Sequence, residues 1–153
     1  LVGSEMCIRD RLYGMAGVRL GYCLCSDTEL LARMRAAGQP WAVSSLAQAA
    51  GIAALDETEY VAKVRALIEA QRPVLADGLR ALGLRVIEGR ANYLLFRAPE
   101  ALGEALRRKG AVLRSCGNYP GLDASWYRTA VRTENENRQL LALLAETLPE
   151  VAQ

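Results

Sequence analysis

Apolar and polar positions along this chain follow three successive regimes. Val18 to Cys25 is a nearly unbroken apolar run, the pattern of a strand buried on both faces of a parallel sheet. From Ser26 the period lengthens to that of helices. Ser26-Asp27-Thr28-Glu29 reads as a capping box that opens a helix through Ala37, with Gly38 as its stop and Pro40 beyond. Residues 44–55 are small and alanine-rich, a composition that raises helix propensity and permits close packing. A second start signal, Asp56-x-x-Glu59, predicts a helix to about Leu82, with Tyr60, Val64, Leu67, Ile68, Leu75, Leu79 and Leu82 as its apolar stripe. Pro73 should kink this helix and Gly83 should end it. Such a helix is roughly 40 Å long, enough to link two domains.

Beyond Leu84 the pattern shortens to that of a compact α/β unit. Strands are predicted at 84–88 and 93–97, around a Gly89-Arg90 turn. A helix should run from Pro99 to Lys109 and stop at Gly110. Short strands at 112–114 and 126–131 flank an irregular loop. Thr133-x-x-Glu136 then caps a last helix to about Thr147, before Pro149. The expected class is α/β in three parts. Residues 12–55 end a large domain, residues 56–83 form a long interdomain helix, and residues 84–150 form a small domain.

Composition narrows the chemistry. With 52% apolar residues, the 153-residue chain has ample material for a core. The formal charge is only +2, and the seventeen arginines are scattered among as many acids. No basic stripe interleaves with aromatics, so no nucleic-acid partner is expected. No apolar run approaches the ~18 residues of a membrane span, so no membrane partner is expected either. Histidine is absent, which removes Ser-His and Cys-His catalysis and most zinc sites, and no metal is expected. Cys23 and Cys25 alternate along one segment and form no metal clip; with Cys7 and Cys116 they read as reduced thiols of a cytoplasmic protein. Residues 1–11, LVGSEMCIRDR, lack the apolar core of a secretory leader. They resemble translated sequencing-adapter read-through, and the chain is expected to be a C-terminal fragment behind a non-native leader.

The candidate chemistry begins at Tyr13–Tyr22, YGMAGVRLGY. Arg19 sits in a Gly17-x-Arg19-x-Gly21 spacing, and a guanidinium fork suits a phosphate dianion. The flanking glycines would allow close backbone approach and unusual dihedrals. On spacing alone, Arg19 serves equally well as an ordinary arginine at a strand start, bridging an acid. The string resembles the segment that follows the cofactor lysine in fold-type I pyridoxal-phosphate enzymes, S-x-[ST]-K-x-[YFA]-x-[ILM]-[PA]-G-[LV]-R-x-G-[YF]. Ala16, Gly17, Val18, Arg19, Gly21 and Tyr22 match it. Ile8, Asp10 and Arg11 stand where the family has its serine, its small hydroxyl residue and its Schiff-base lysine. The resemblance implies pyridoxal 5′-phosphate as cofactor and Arg19 as a ligand of its phosphate. Arg11 cannot replace the lysine, because a guanidinium stays protonated and offers no amine to an aldehyde. The only two lysines, Lys63 and Lys109, lie in helical patterns on apparently solvated faces.

A second constellation runs through Arg114-Ser115-Cys116-Gly117-Asn118-Tyr119-Pro120-Gly121-Leu122 and Trp126-Tyr127-Arg128-Thr129-Ala130-Val131 to Asn137. Taken singly, Arg114 and Arg128 read first as surface charges, and Asn118 and Tyr119 as turn residues beside Pro120-Gly121. Alternation places Arg128 on the face of Trp126 and Ala130. The run resembles the small-domain end of the class I/II aminotransferase superfamily, around histidinol-phosphate aminotransferases. More narrowly it resembles threonine-phosphate decarboxylases, which read [IV]-R-x-C-x-N-[YF]-x-G-L before [YF]-[YF]-R-[VT]-A-V. The segments 39–43, 46–50 and 91–97 fit the same subgroup. The resemblance implies that Arg128, and with it Arg114, grips a substrate α-carboxylate. It implies an amino-acid phosphate substrate, homodimerisation when full length, and decarboxylation of O-phospho-L-threonine to aminopropanol phosphate for cobalamin synthesis. The alternative is a histidinol-phosphate-type aminotransferase using 2-oxoglutarate. A non-catalytic remnant or regulator module of the same fold is a third possibility. The chain as it stands, without the lysine, is expected to be inactive.

Overall fold

A computed structural model of the protein describes residues 13–21 and 24–151. The leader with Arg11 and Cys7 lies outside the described residues, as do Tyr22 and Cys23. The chain divides into two compact units, one up to Val64 and one from Arg65, with the boundary inside a long helix.

The first unit contains a 3-10 turn (Ala16–Val18), α1 (Thr28–Ala37), α2 (Ser45–Asp56) and the opening turns of α3 (Thr58–Ala81). The strand predicted at Val18–Cys25 is not formed by its described residues: Val18 closes the 3-10 turn and Leu24 is exposed. A strand exists only through hydrogen bonds to a neighbour, and no described residue of this unit belongs to a strand. Helix α1 begins one residue later than the capping box suggests. Asp27, not Ser26, is its N-cap, and the Asp27 carboxylate accepts from the Leu30 amide at 2.9 Å. In α2 the Ser44 hydroxyl accepts from the Ala47 amide at 3.2 Å. Ala47, Gly51 and Ala54 form its buried stripe. At Gly51 a Cβ would lie 2.5 Å from Leu20 Cδ2, so any larger residue would make that side chain move. Tyr13 and Tyr60 stack with ring centroids 5.6 Å apart.

The second unit is a four-stranded antiparallel sheet with helices on one face. Its strands are β1 (Arg85–Ile87), β2 (Tyr93–Arg97), β3 (Arg114–Ser115) and β4 (Trp126–Ala130), in the order β1-β2-β4-β3. Helix α3 reaches it through Pro73 and ends at Gly83, whose φ of 78° only glycine adopts without strain. The Gly83 amide donates to Arg80 O at 2.9 Å and the Leu84 amide to Leu79 O at 3.2 Å, the paired bonds of a Schellman ending. Leu79 and Leu84 then enter the core together.

That core joins Leu75 and Leu79 of α3, Leu94 and Phe96 of β2, and Tyr127 of β4. Leu102 and Leu106 of α4 (Leu102–Arg108) and Leu144 of α5 (Glu134–Val151) complete it. Each such side chain contributes about 1.5–3 kcal/mol on burial. Pro149 lies inside α5 rather than beyond its end. The stripe Leu140, Leu144, Leu148 and Val151 continues past the proline onto the core, and this packing outweighs one lost backbone bond. Asn137 is buried and locks the entry to α5: its Oδ1 accepts from Arg132 N at 3.1 Å and its Nδ2 donates to Arg132 O at 2.8 Å.

Candidate functional site

The sheet of the second unit has one face against the helices and one without them. Strand alternation sends Leu94, Phe96, Tyr127 and Thr129 to the helical face, where all four are buried. The opposite face carries Arg85, Tyr93, Leu95, Arg97, Arg114, Trp126, Arg128 and Ala130, by the same alternation and the register of the ladders. Four arginines therefore share one surface.

Arg114 of β3 is paired directly with Arg128 of β4. Directly opposed residues of an antiparallel pair have Cβ atoms about 5 Å apart and project to the same side. Two arginine side chains thus leave the sheet from facing positions. Among the described residues neither makes an ion pair. Arg114 Nη2 donates to Asn118 Oδ1 at 3.4 Å, and Arg128 lies with its Cζ 4.7 Å from the centroid of the Tyr93 ring. Like charges facing each other across a ladder are destabilising, and an anion between them reverses the sign of that interaction.

The other two arginines of this face are held differently. Arg97 Nε donates to Ser125 Oγ at 2.8 Å, and its Nη2 lies 3.5 Å from Asp123 Oδ2. Ser125 donates its hydroxyl and, at 2.9 Å, its amide to Asp123 Oδ1. These bonds, the Ser125 hydroxyl first, hold the Asp123 carboxyl below the usual carboxylate range, with Arg97 as a smaller cause. Arg85 lies with its Cζ 5.8 Å from the Trp126 ring.

Arg19, the candidate phosphate ligand, belongs to the first unit. It follows the 3-10 turn with φ 57° and ψ 36°, a left-handed conformation that costs a non-glycine residue about 1 kcal/mol or more. It is Gly14 and Arg19 that take positive φ here, whereas Gly17 has an ordinary φ and open space around it. Arg11 falls outside the described residues. Lys63 is exposed on α3, 3.9 Å from Glu59. Lys109 bridges to Glu150 at 2.8 Å and Glu146 at 3.2 Å on α5. Both lysines are therefore beside carboxylates on helices. Among the described residues no helix is long and apolar enough to cross a membrane, and no cluster of three or more histidine, cysteine or acidic side chains could hold a metal.

The arginine pair was nameable from the sequence, but the ring beneath Arg128 and the amide beside Arg114 were not. Tyr93 faces Ala130, so Arg128 is its diagonal neighbour, and only the register reveals that.

A family model described as aminotransferase class I and II matches residues 12–144. The chain belongs to the class I and II aminotransferases. Members of this family depend on pyridoxal phosphate, and a solved histidinol-phosphate aminotransferase holds it. The chain is 38% identical over 146 residues to a threonine-phosphate decarboxylase of Salmonella typhimurium, covering 93% of this chain and 40% of that protein. It is 39% identical over 144 residues to a histidinol-phosphate aminotransferase of Symbiobacterium thermophilum, covering 92% and 39%. The solved histidinol-phosphate aminotransferase of Clostridium acetobutylicum superposes with a TM-score of 0.82 at 30% identity, over 91% of this chain and 43% of the other. The chain thus spans about two-fifths of the length of these relatives.

Proposed function

We propose that this chain is the C-terminal part of a pyridoxal-phosphate enzyme acting on an amino-acid phosphate, homodimeric when full length. In this reading residues 12–55 end the cofactor domain, residues 56–83 link the domains, and residues 84–150 bring the substrate grip. The observation that supports it is the opposed Arg114–Arg128 pair, which among the described residues has no acid between its charges. A guanidinium fork receives a carboxylate through two parallel N–H bonds, so a pair of forks holds one α-carboxylate in a fixed plane.

In this reading the described residues would hold the anionic ends of the bound cofactor and substrate, the phosphate at Arg19 and the carboxylate at Arg114 and Arg128. They do not fit the aldehyde, because both lysines stand beside carboxylates on helices. When bound, the cofactor supplies an electron sink for whichever bond breaks at Cα. The arginine pair sets the direction of the carboxylate, and that direction decides which bond stands perpendicular to the ring.

The reaction proposed is loss of CO2 from O-phospho-L-threonine to give aminopropanol phosphate for cobalamin synthesis. The string Leu113-Arg114-Ser115-Cys116-Gly117-Asn118-Tyr119-Pro120-Gly121-Leu122 supports it. The alternative is amino transfer from histidinol phosphate to 2-oxoglutarate, supported by relatives of that activity at equal identity. The test extends the gene upstream of Leu12 from its source DNA and assays the longer protein. CO2 released from phosphothreonine establishes the decarboxylase. Glutamate formed from histidinol phosphate and 2-oxoglutarate establishes the aminotransferase, and neither product removes the enzymatic reading.

A further inference from the structure

Resting on that carboxylate reading, we propose that Tyr93 is a positioning residue: its ring seats the guanidinium of Arg128 without neutralising it and leaves its donors for an anion. The open face shows two ways of fastening an arginine. Arg97 is held by its edge, with Nε on Ser125 and Nη2 beside Asp123. An arginine held that way already has its charge balanced by an acid. Arg128 lies over an aromatic ring, its Cζ 4.7 Å from the Tyr93 centroid, and none of its five N–H groups is given to a carboxylate among the described residues. The contact with the ring therefore leaves its charge without a counter-ion.

Two further features need the ring. Arg114 on β3 and Tyr93 on β2 lie on opposite sides of Arg128, so repulsion from the facing charge and attraction to the ring quadrupole both seat the Arg128 head on the ring. A long side chain also loses rotamer freedom when it closes on an anion, and one already seated on a ring has lost that freedom beforehand. Tyr93 reaches Arg128 because it faces Ala130 on β4, two residues along the same face. Its hydroxyl makes no hydrogen bond among the described residues, so the ring is the working part. Asn118 does the corresponding task for Arg114, through a bond to its Nη2.

The test uses the 15N-labelled 153-residue chain and its arginine Nε–Hε signals, with Arg128 assigned by its loss in R128K. The ring current of Tyr93 should displace the Arg128 signal in the wild type and in Y93F, and Y93L should return it to the range of exposed arginines. O-phospho-L-threonine is then titrated against aminopropanol phosphate, which keeps amine and phosphate but lacks the carboxylate. Y93F should bind phosphothreonine like the wild type. Y93L should bind it roughly 5- to 10-fold more weakly, as expected for loss of a partly desolvated cation–π contact, with no change for aminopropanol phosphate. An undisplaced Arg128 signal in the folded wild type overturns the positioning role without any variant. So does wild-type affinity in Y93L when R128A has lost it, and in that case the carboxylate reading stands. If R114A and R128A both bind like the wild type, or phosphothreonine leaves the Arg128 signal unmoved, the carboxylate reading fails and this inference with it.

Discussion

Replacing Tyr127 by phenylalanine isolates one atom that joins the sheet to α4. The Tyr127 side chain is buried, with its ring 6.1 Å from that of Phe96, and its hydroxyl emerges at the start of the helix. There it donates to Glu100 O at 2.6 Å and accepts from the Gly103 amide at 3.2 Å. Gly103 is the second residue of α4, so its amide has no partner within the helix. The N-cap residue, Ala101, has no side chain able to supply one. The hydroxyl of a distant strand thus performs the capping that serine or aspartate ordinarily performs locally. Phenylalanine preserves the ring packing and removes only this oxygen. One bond to the exposed Glu100 is worth about 1 kcal/mol, and the half-buried amide left unpaired costs about 1 kcal/mol more. The expected loss is therefore about 2 kcal/mol. For a unit of this size that is roughly a 10 °C fall in the unfolding midpoint. Urea denaturation followed by circular dichroism should show the lower midpoint with an unchanged slope. Hydrogen exchange should show the Gly103 amide losing protection before its neighbours in α4. A loss below ~0.5 kcal/mol, or unchanged protection at Gly103, would refute the capping role, since a net hydrogen bond is worth at least about that much.

Further outcomes follow from the same geometry. Arg114→Gln removes one of two facing charges, so stability should rise by about 0.2–1 kcal/mol while affinity for phosphothreonine falls; paired urea melts and titrations check the opposite signs. The carboxyl of Asp123 is held low chiefly by the Ser125 hydroxyl, so its folded pKa lies under its unfolded one. Its stabilisation is complete above about pH 4 and is lost as the pH falls through the folded value, a loss that melts of D123N at descending pH should not show. Lys109 is displaced the other way, chiefly by its hydrogen bond to Glu150. Its contribution is complete below about pH 10.5 and is lost as the pH rises beyond, and K109M should lack that alkaline component. The 153-residue chain supplied with pyridoxal phosphate should release no CO2 from phosphothreonine, measured with carboxyl-labelled substrate; release would contradict the fit found at its lysines.

Legibility tracked how local each cause is. Strand β2 falls at the predicted residues because its short apolar, aromatic-bearing run after the Gly89-Arg90 turn is local to Tyr93–Arg97, and Gly83 ends α3 because only glycine suits its φ. Helix α5 outruns its predicted end because the force that continues it, contact of Leu148 and Val151 with the core, acts at a distance. The apolar run at Val18–Cys25 carries the composition of a buried strand, but composition cannot provide the neighbouring strand that pairing needs. The site divides in the same way. Arginines at 114 and 128 are visible as residue types in a motif, whereas their facing one another, and the seat of Arg128 on Tyr93, depend on a register between strands far apart in sequence.

How this chain treats its cations elsewhere bears on what the arginine pair is for. Several basic side chains stand one turn from an acid, as in Lys63 with Glu59, Arg108 with Glu104, Arg132 with Glu136 and Arg138 with Glu134. Lys109 receives two acids, and Arg97 receives Asp123 on the very sheet face in question. Exposed pairs of this kind are worth little singly. The β3–β4 ladder is built differently from these pairs. Two arginines stand opposed, one steadied by an amide oxygen and the other by an aromatic face. Both supports steady a guanidinium without neutralising it. A surface arranged only for stability would gain from an acid at either position. The pair makes physical sense as a receptor whose counter-charge arrives with the substrate.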